Sequence, residues 1–192
     1  MYIDTAITVK HEEILSHNWG MLKKTTFDYR RRDGRVETHT RETYDRGNGA
    51  TILLYNRAQK TVILTRQFRL PAYVNGHYGF LIEACAGLLD AGNAEEAIKR
   101  ETEEETGYRI TEPTRIFEVF MSPGSVTERL AFFVATYEPG TRTSAGGGIE
   151  GEDIEILELS LHDALSMIDT GEIMDGKTIM LLQYAQLHHL LD

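Results

Sequence analysis

Three glutamates, Glu101, Glu104 and Glu105, stand three and four residues apart in a stretch of helical character. On a helix that spacing places their side chains on one face, while Glu103 points elsewhere. Like charges so spaced cost roughly 0.2–0.5 kcal/mol per pair. These also lie near the C-terminal end of the stretch, where the helix dipole disfavours anions. A purely structural helix gains nothing from this. A hard divalent cation such as magnesium, which prefers carboxylate, water and phosphate oxygens, removes the conflict. Arg100, next to Glu101, is placed to orient a carboxylate through a charge-assisted hydrogen bond. The competing reading is a solvated acidic face, the commoner fate of a charge run. The neighbourhood favours a site: a glycine-containing loop leaves a strand-like run and leads into the helix. Such a loop can aim a backbone carbonyl and backbone N–H groups at a ligand beside the carboxylates.

These residues need a frame. The spacing predicts the helix over 94–106, with Asn93 as N-cap, Glu96 completing a capping box and Gly107 as the stop. Apolar, β-favouring runs predict strands at 50–55, 61–65, 80–84, 130–137 and 154–159. A short helix is expected at 161–168 and a terminal amphipathic helix at 178–191. No repeats occur, and the mixture implies an α/β layered domain. Before it, residues 21–44 read as a two-stranded ribbon: 25–29 and 36–40 alternate, and Asp33-Gly34 marks a tight turn. A lone ribbon is marginal in water, so it needs its own domain or a partner subunit. Residues 138–153 form a long loop, either a floppy surface segment or a lid. Glu150, Glu152 and Asp153 favour a lid that carries one carboxylate to the metal.

Composition bounds the partners. A net charge of −10 argues against nucleic acid but allows a small phosphorylated substrate with cations. The single cysteine, Cys85, permits no intrachain disulfide, which fits a cytoplasmic protein, and it reads as a core residue. No apolar run reaches the length of a membrane span, and no export signal is evident. Arg69 follows a strand and Lys177 opens the terminal helix. Both could meet phosphate, and both could be ordinary surface cations. Trp19 could stack on a base, though a single tryptophan is more often packing.

The run Arg100-Glu-Thr-Glu-Glu-Glu-Thr-Gly-Tyr108 resembles the second half of the Nudix box, and Gly87 resembles its opening glycine. The box is one residue shorter than usual, Asn93 stands near a usual glutamate, and Thr102 replaces an apolar residue. The resemblance covers most of the chain and is closest to the GDP-mannose pyrophosphatase subgroup. It is carried by Tyr44-Asp-Arg-Gly-Asn-Gly49, Arg66-Gln-Phe-Arg69, Cys85-Ala-Gly-Leu-Leu-Asp90, Met121-Ser-Pro-Gly124, Gly146-Gly-Gly148 and Asp175-Gly-Lys177. The box and the Arg66–Arg69 segment are shared with ADP-ribose pyrophosphatases; the triple glycine and Asp-Gly-Lys segments favour GDP-mannose.

That resemblance implies an α/β/α sandwich with a mixed sheet at 46–192, preceded by a dimer-forming β-ribbon at 1–45. It implies magnesium-dependent hydrolysis of a nucleotide sugar, GDP-mannose giving GMP and mannose 1-phosphate. The implied metal ligands are the Ala86 carbonyl, Glu101, Glu105 and Glu152, with Glu104 a further ligand or a supporting group. Either Glu104 or Glu152 would assist the base step. Implied substrate contacts are Trp19, Arg41, Arg69, Gly87, Leu88, Glu128 and Lys177. Gly151 stands where the subgroup often has an acidic residue. The ribbon would cross to a second copy, letting Arg41 serve the neighbouring site. The alternatives are an ADP-ribose pyrophosphatase, a non-catalytic nucleotide-sugar sensor on the same scaffold and a merely structural acidic helix.

Overall fold

The computed structural model describes residues 6–89, 93–149 and 151–192. Asp90 of the resemblance segment and Glu150 of the expected lid lie outside them. The chain divides into two compact units. One comprises residues 1–48 and 120–129, the other 49–119 and 130–192.

The first unit is an antiparallel sheet of three strands, not the two-stranded ribbon expected: β1 (Ile7–His17), β2 (Met21–Arg30) and β3 (Val36–Asp45), in that order. β1 is the addition. It pairs along β2, but the register shifts between Val9 and His11 and again between Ile14 and Ser16. Each shift inserts an extra residue and breaks the alternation by which a strand is recognised. The β2–β3 connection is wider than a two-residue turn. Arg30 pairs with Val36, Arg31 and Arg35 are joined by an N–H···O bond of 2.7 Å, and Gly34 takes φ +87°. The Asp33 carboxylate accepts from the Arg35 N–H and closes the loop.

In the second unit, seven strands form one mixed sheet among the described residues. They are β4 (Gly49–Asn56), β5 (Thr61–Phe68), β6 (Phe80–Glu83), β7 (Ala86–Leu88), β8 (Thr114–Phe120), β9 (Arg129–Thr136) and β10 (Glu155–Ser160). The main order is β10-β5-β4-β9-β8, with β6 paired to β5 and β7 to β4. β4 and β9 run parallel; β4–β5, β5–β6, β4–β7 and β5–β10 are antiparallel. β7, β8 and a five-residue helix α1 (Leu70–Val74) add to the expected elements.

β4 is buried at every residue, as only a strand covered on both faces can be. Ala50, Ile52 and Leu54 pack against Ile98 of helix α2 (Ala94–Thr106) with Ile63, Cys85 and Phe133. Helices α3 (Leu161–Asp169) and α4 (Gly176–Leu187) cover the other side, where Phe117 meets both Phe132 and Tyr184. The result is a mixed sheet between helices.

α2 holds its expected bounds because both ends are capped. The Asn93 side chain accepts from Glu95 N–H, and Gly107 at φ +76° turns its N–H to the Glu103 carbonyl. Glu96, expected to complete a capping box, lies 3.5 Å from Lys99.

Candidate active site

β6 and β7 are one extended run broken at Ala84-Cys85, and the break is tied down from two directions. The Cys85 carbonyl accepts from Ile52 N–H and from the Thr51 hydroxyl. The Ala84 N–H donates to the Thr178 hydroxyl at 2.6 Å, and that hydroxyl donates to Asp175, the N-cap of α4. The backbone that carries Ala86, Gly87 and Leu88 is thus fixed beside β4.

α2 then crosses directly over it. A Cβ on Gly87 would overlap the Glu101 side chain at its carboxyl carbon, so a larger residue there would displace this carboxylate. Glu101 is half-buried and accepts from Arg100 Nη2 at 3.1 Å. Burial raises its pKa; Arg100 opposes this, while Glu104 and Glu152 add to it.

Glu105 is 5% exposed, and its Oε2 is buried without a hydrogen-bond partner. Burial is the main reason its pKa rises to about 7; the charges of Glu101 and Glu152 push the same way, and the Cys85 thiol and Arg69 pull against them. Burial also pushes the Cys85 thiol well up, which leaves it a neutral core group as expected. Glu104 is more open, with Arg100 Nε at 4.0 Å. Glu103 does face away: it pairs with Arg109 at 2.8 Å and accepts from the Thr143 hydroxyl at 2.9 Å.

That last contact shows what the 138–153 segment does. It does not hang free. After a short 3₁₀ turn (Pro139–Thr141) it docks on the C-terminal end of α2. Thr143 N–H donates to the Gly107 carbonyl, Gly147 N–H to Glu105 and Gly148 N–H to Glu104. These bonds satisfy carbonyls that a helix end otherwise leaves open. A Cβ on Gly146 would stand 2.7 Å from the Glu105 oxygen, so the docking requires glycine. The segment then returns Glu152 toward the helix, with its carboxylate accepting from Ile149 N–H at 2.9 Å.

Arg69 and Lys177 enter from other elements. Arg69 precedes α1 and Lys177 lies in the first turn of α4. Both meet Glu83 at the end of β6, a residue that sequence reasoning did not single out. A signal was present: a glutamate that closes the apolar run Phe80–Glu83 has to find a partner where that end of the strand is buried.

Trp19, Arg41 and Glu128 belong to the first unit. Trp19 is 72% exposed, with the Arg46 guanidinium 5.2 Å from its ring centre, and Arg46 Nε lies 3.3 Å from Glu128. Arg46 therefore links two of the expected contact residues. Arg41, on β3, is exposed and donates to the carbonyl of Thr40.

Among the described residues no three acidic, histidine or cysteine side chains stand together as a ready metal cluster. Glu101 and Glu152 are each engaged by a protein donor. The residues nevertheless suit a hard cation. The acidic side chains offer oxygen ligands, Glu105 carries an orphaned oxygen, and neighbouring carboxylates add to the raised pKa values of Glu101 and Glu105.

Comparison with known proteins gives a consistent picture. A family profile described as the GDP-mannose pyrophosphatase NudK N-terminal domain matches residues 6–44, and one for the NUDIX domain matches residues 45–181. The chain is 56% identical over 187 residues to proteins named GDP-mannose pyrophosphatase from Escherichia coli O157:H7 and Shigella dysenteriae serotype 1. The match covers 97% of this chain and 98% of theirs. A crystal structure titled ADP compounds hydrolase superposes with a TM-score of 0.72, covering 98% of both chains at 16% identity, which speaks to the fold alone.

Proposed function

The chain belongs to the NUDIX family, and from that premise we propose that it hydrolyses the diphosphate bridge of GDP-mannose, giving GMP and mannose 1-phosphate. The observation that carries this reading is the orphaned, buried carboxylate oxygen of Glu105 beside Glu101, whose own carboxyl packs against Gly87. Near-full-length likeness to relatives of that name, through the N-terminal unit as well, selects the sugar nucleotide.

The Ala86 carbonyl, Glu101, Glu105 and Glu152 would hold magnesium, with Glu104 supporting them. When bound, the cation supplies charge neutralisation at the diphosphate and lowers the pKa of a water. The chain's own groups do the rest. Glu152 or Glu104 takes the proton from the attacking water, and neither is deeply buried. Arg69 and Lys177 donate to phosphate oxygens, and Gly87 and Leu88 line the same edge. Trp19, Glu128 and Arg41 are further contacts for the nucleotide sugar. The N-terminal unit packs on a second copy, so that Arg41 serves the neighbouring site. The exposure of Ile7, Val9 and Ile14 along β1 supports such packing. No helix among the described residues is long and apolar enough to cross a membrane. A single buried cysteine suits a cytoplasmic enzyme.

Phosphorus NMR of GDP-mannose and ADP-ribose, each incubated with the protein and magnesium in oxygen-18 water, tests the reading. GMP and mannose 1-phosphate should appear, with the label on one phosphorus. Faster turnover of ADP-ribose would move the assignment to that substrate. Tight nucleotide binding without products would make the protein a sensor.

A further inference from the structure

We infer that Glu83 is a positioning residue for the diphosphate: one buried carboxylate that holds Arg69 and Lys177 side by side and fixes where both present their donors. The inference rests on the hydrolase reading above and deepens it.

The Glu83 side chain is 4% exposed, and both oxygens are taken by cations. Oε2 accepts from Arg69 Nε at 2.7 Å and Oε1 from Lys177 Nζ at 2.6 Å. A buried carboxylate is costly, and an apolar residue fills a core at least as well. What a carboxylate adds here is location. Arg69 lies 14 residues before Glu83 and Lys177 94 residues after it, on unrelated elements. Two cations brought together repel each other until an anion is set between them.

The anion itself has no slack. Thr65 donates its hydroxyl to the Glu83 carbonyl at 3.2 Å, and the next residue's N–H is held by Thr178. The same Asp175 that accepts from Thr178 lies 3.0 Å from Lys177 Nζ, so the lysine is gripped from two sides. Arg69 gives Glu83 only its Nε. Among the described residues its two terminal nitrogens make no hydrogen bond, which leaves the paired donors of the guanidinium for a phosphate. Its charge also reaches Glu105, so it lies toward the acidic side of the site. Two cations and two anions sum to zero. Arg69 and Lys177 therefore act as aimed donors more than as excess positive charge.

The test is a mutant cycle of Glu83→Gln against the pair R69M/K177M, read as KM and kcat on GDP-mannose and as GDP affinity by calorimetry in magnesium. Glu83→Gln should raise KM about tenfold and weaken GDP by a similar factor, with kcat within threefold of wild type. In the R69M/K177M background the same change should cost less than twofold, because nothing is left to position. Glu83→Asp keeps the charge but shortens the reach. It should show the same pattern at smaller size, and it carries the test if Glu83→Gln does not fold. Multiplicative effects, or normal KM and GDP affinity in both Glu83 variants, would overturn the inference. A wild-type protein that binds GDP but leaves GDP-mannose intact would overturn the substrate assignment instead, and the GDP cycle would still be readable.

Discussion

Strand β1 is exposed at every residue except Ser16, whereas β4 is buried at every residue. The first belongs to a sheet whose side-chain contacts are largely polar: Lys10 with Asp28, Arg31 with Glu37, Lys24 with Glu13, Thr26 with Thr40. The second is the spine of a unit whose sheet is filled on both sides by apolar side chains. One unit can bury its own surface and the other cannot. The chemistry follows the same division. In the α/β unit, Glu101 and Glu105 are brought together in burial and their pKa values rise. In the N-terminal sheet, acidic groups sit beside cations in solvent and their pKa values fall.

The sharpest test of that division is at the acid cluster. Glu101→Gln or Glu105→Gln should cut kcat by at least ~100-fold in saturating magnesium, while the melting temperature stays near that of wild type. Near-normal turnover would place the chemistry elsewhere. A second contrast concerns packing. Ile98→Ala empties space in the filled core of α2 and β4 and should cost about 2–5 kcal/mol by urea unfolding. Ile14→Ala, on the exposed face of β1, should cost within about 0.5 kcal/mol in an isolated chain. If the N-terminal unit pairs with a second copy, Ile14→Asp should shift sedimentation toward monomer. Unchanged association would remove β1 from the interface.

The same division decided what the sequence disclosed. α2 was legible to the residue because its signals are local: Asn93 and Gly107 cap it, and Ala97, Ile98, Thr102 and Glu105 fall on one buried side. The central strands β4 and β5 were legible as apolar runs. β1 was not, since two register shifts scramble its alternation. β8 was missed although Ile116, Phe117 and Val119 carry a strand-like run. The acidic face could be read from helical spacing alone. The bridge of Arg69 and Lys177 through Glu83 could not, because Lys177 lies 94 residues from Glu83 and meets it through a contact that only the fold creates.

Titration offers a further break between the two units. The Glu105 carboxyl rises from 4.5 to about 7. Below pH 4.5 it is protonated folded or unfolded. Between pH 4.5 and 7 only the folded state keeps the proton, so stability falls as pH rises. Above 7 the penalty is complete, roughly 3 kcal/mol. Without divalent ions, Glu105→Gln should therefore be more stable than wild type at pH 8, and urea midpoints should converge near pH 4.5. A constant gap would mean that burial does not act on this group.

The smallest expected effect has the opposite sign. Lys10 and Thr38 hold the Asp28 carboxyl below its ordinary value, and Arg31 does the same for Glu37. A depressed carboxylate contributes stability above its unfolded pKa, and that contribution is lost as pH falls through the lower folded value. Acid should therefore loosen the N-terminal sheet only as pH falls below 4.5 for Glu37 and 3.8 for Asp28, after protonation of Glu105 has already relieved α2. These pairs face solvent, so the effect is slight and salt screens it. Hydrogen exchange of β2 amides, corrected for intrinsic rates, should rise in Asp28→Asn at pH 6 in low salt and return to the wild-type level at high salt. Equal protection at both ionic strengths would show that hydrogen bonding along β2, and not the row of ion pairs, holds the sheet.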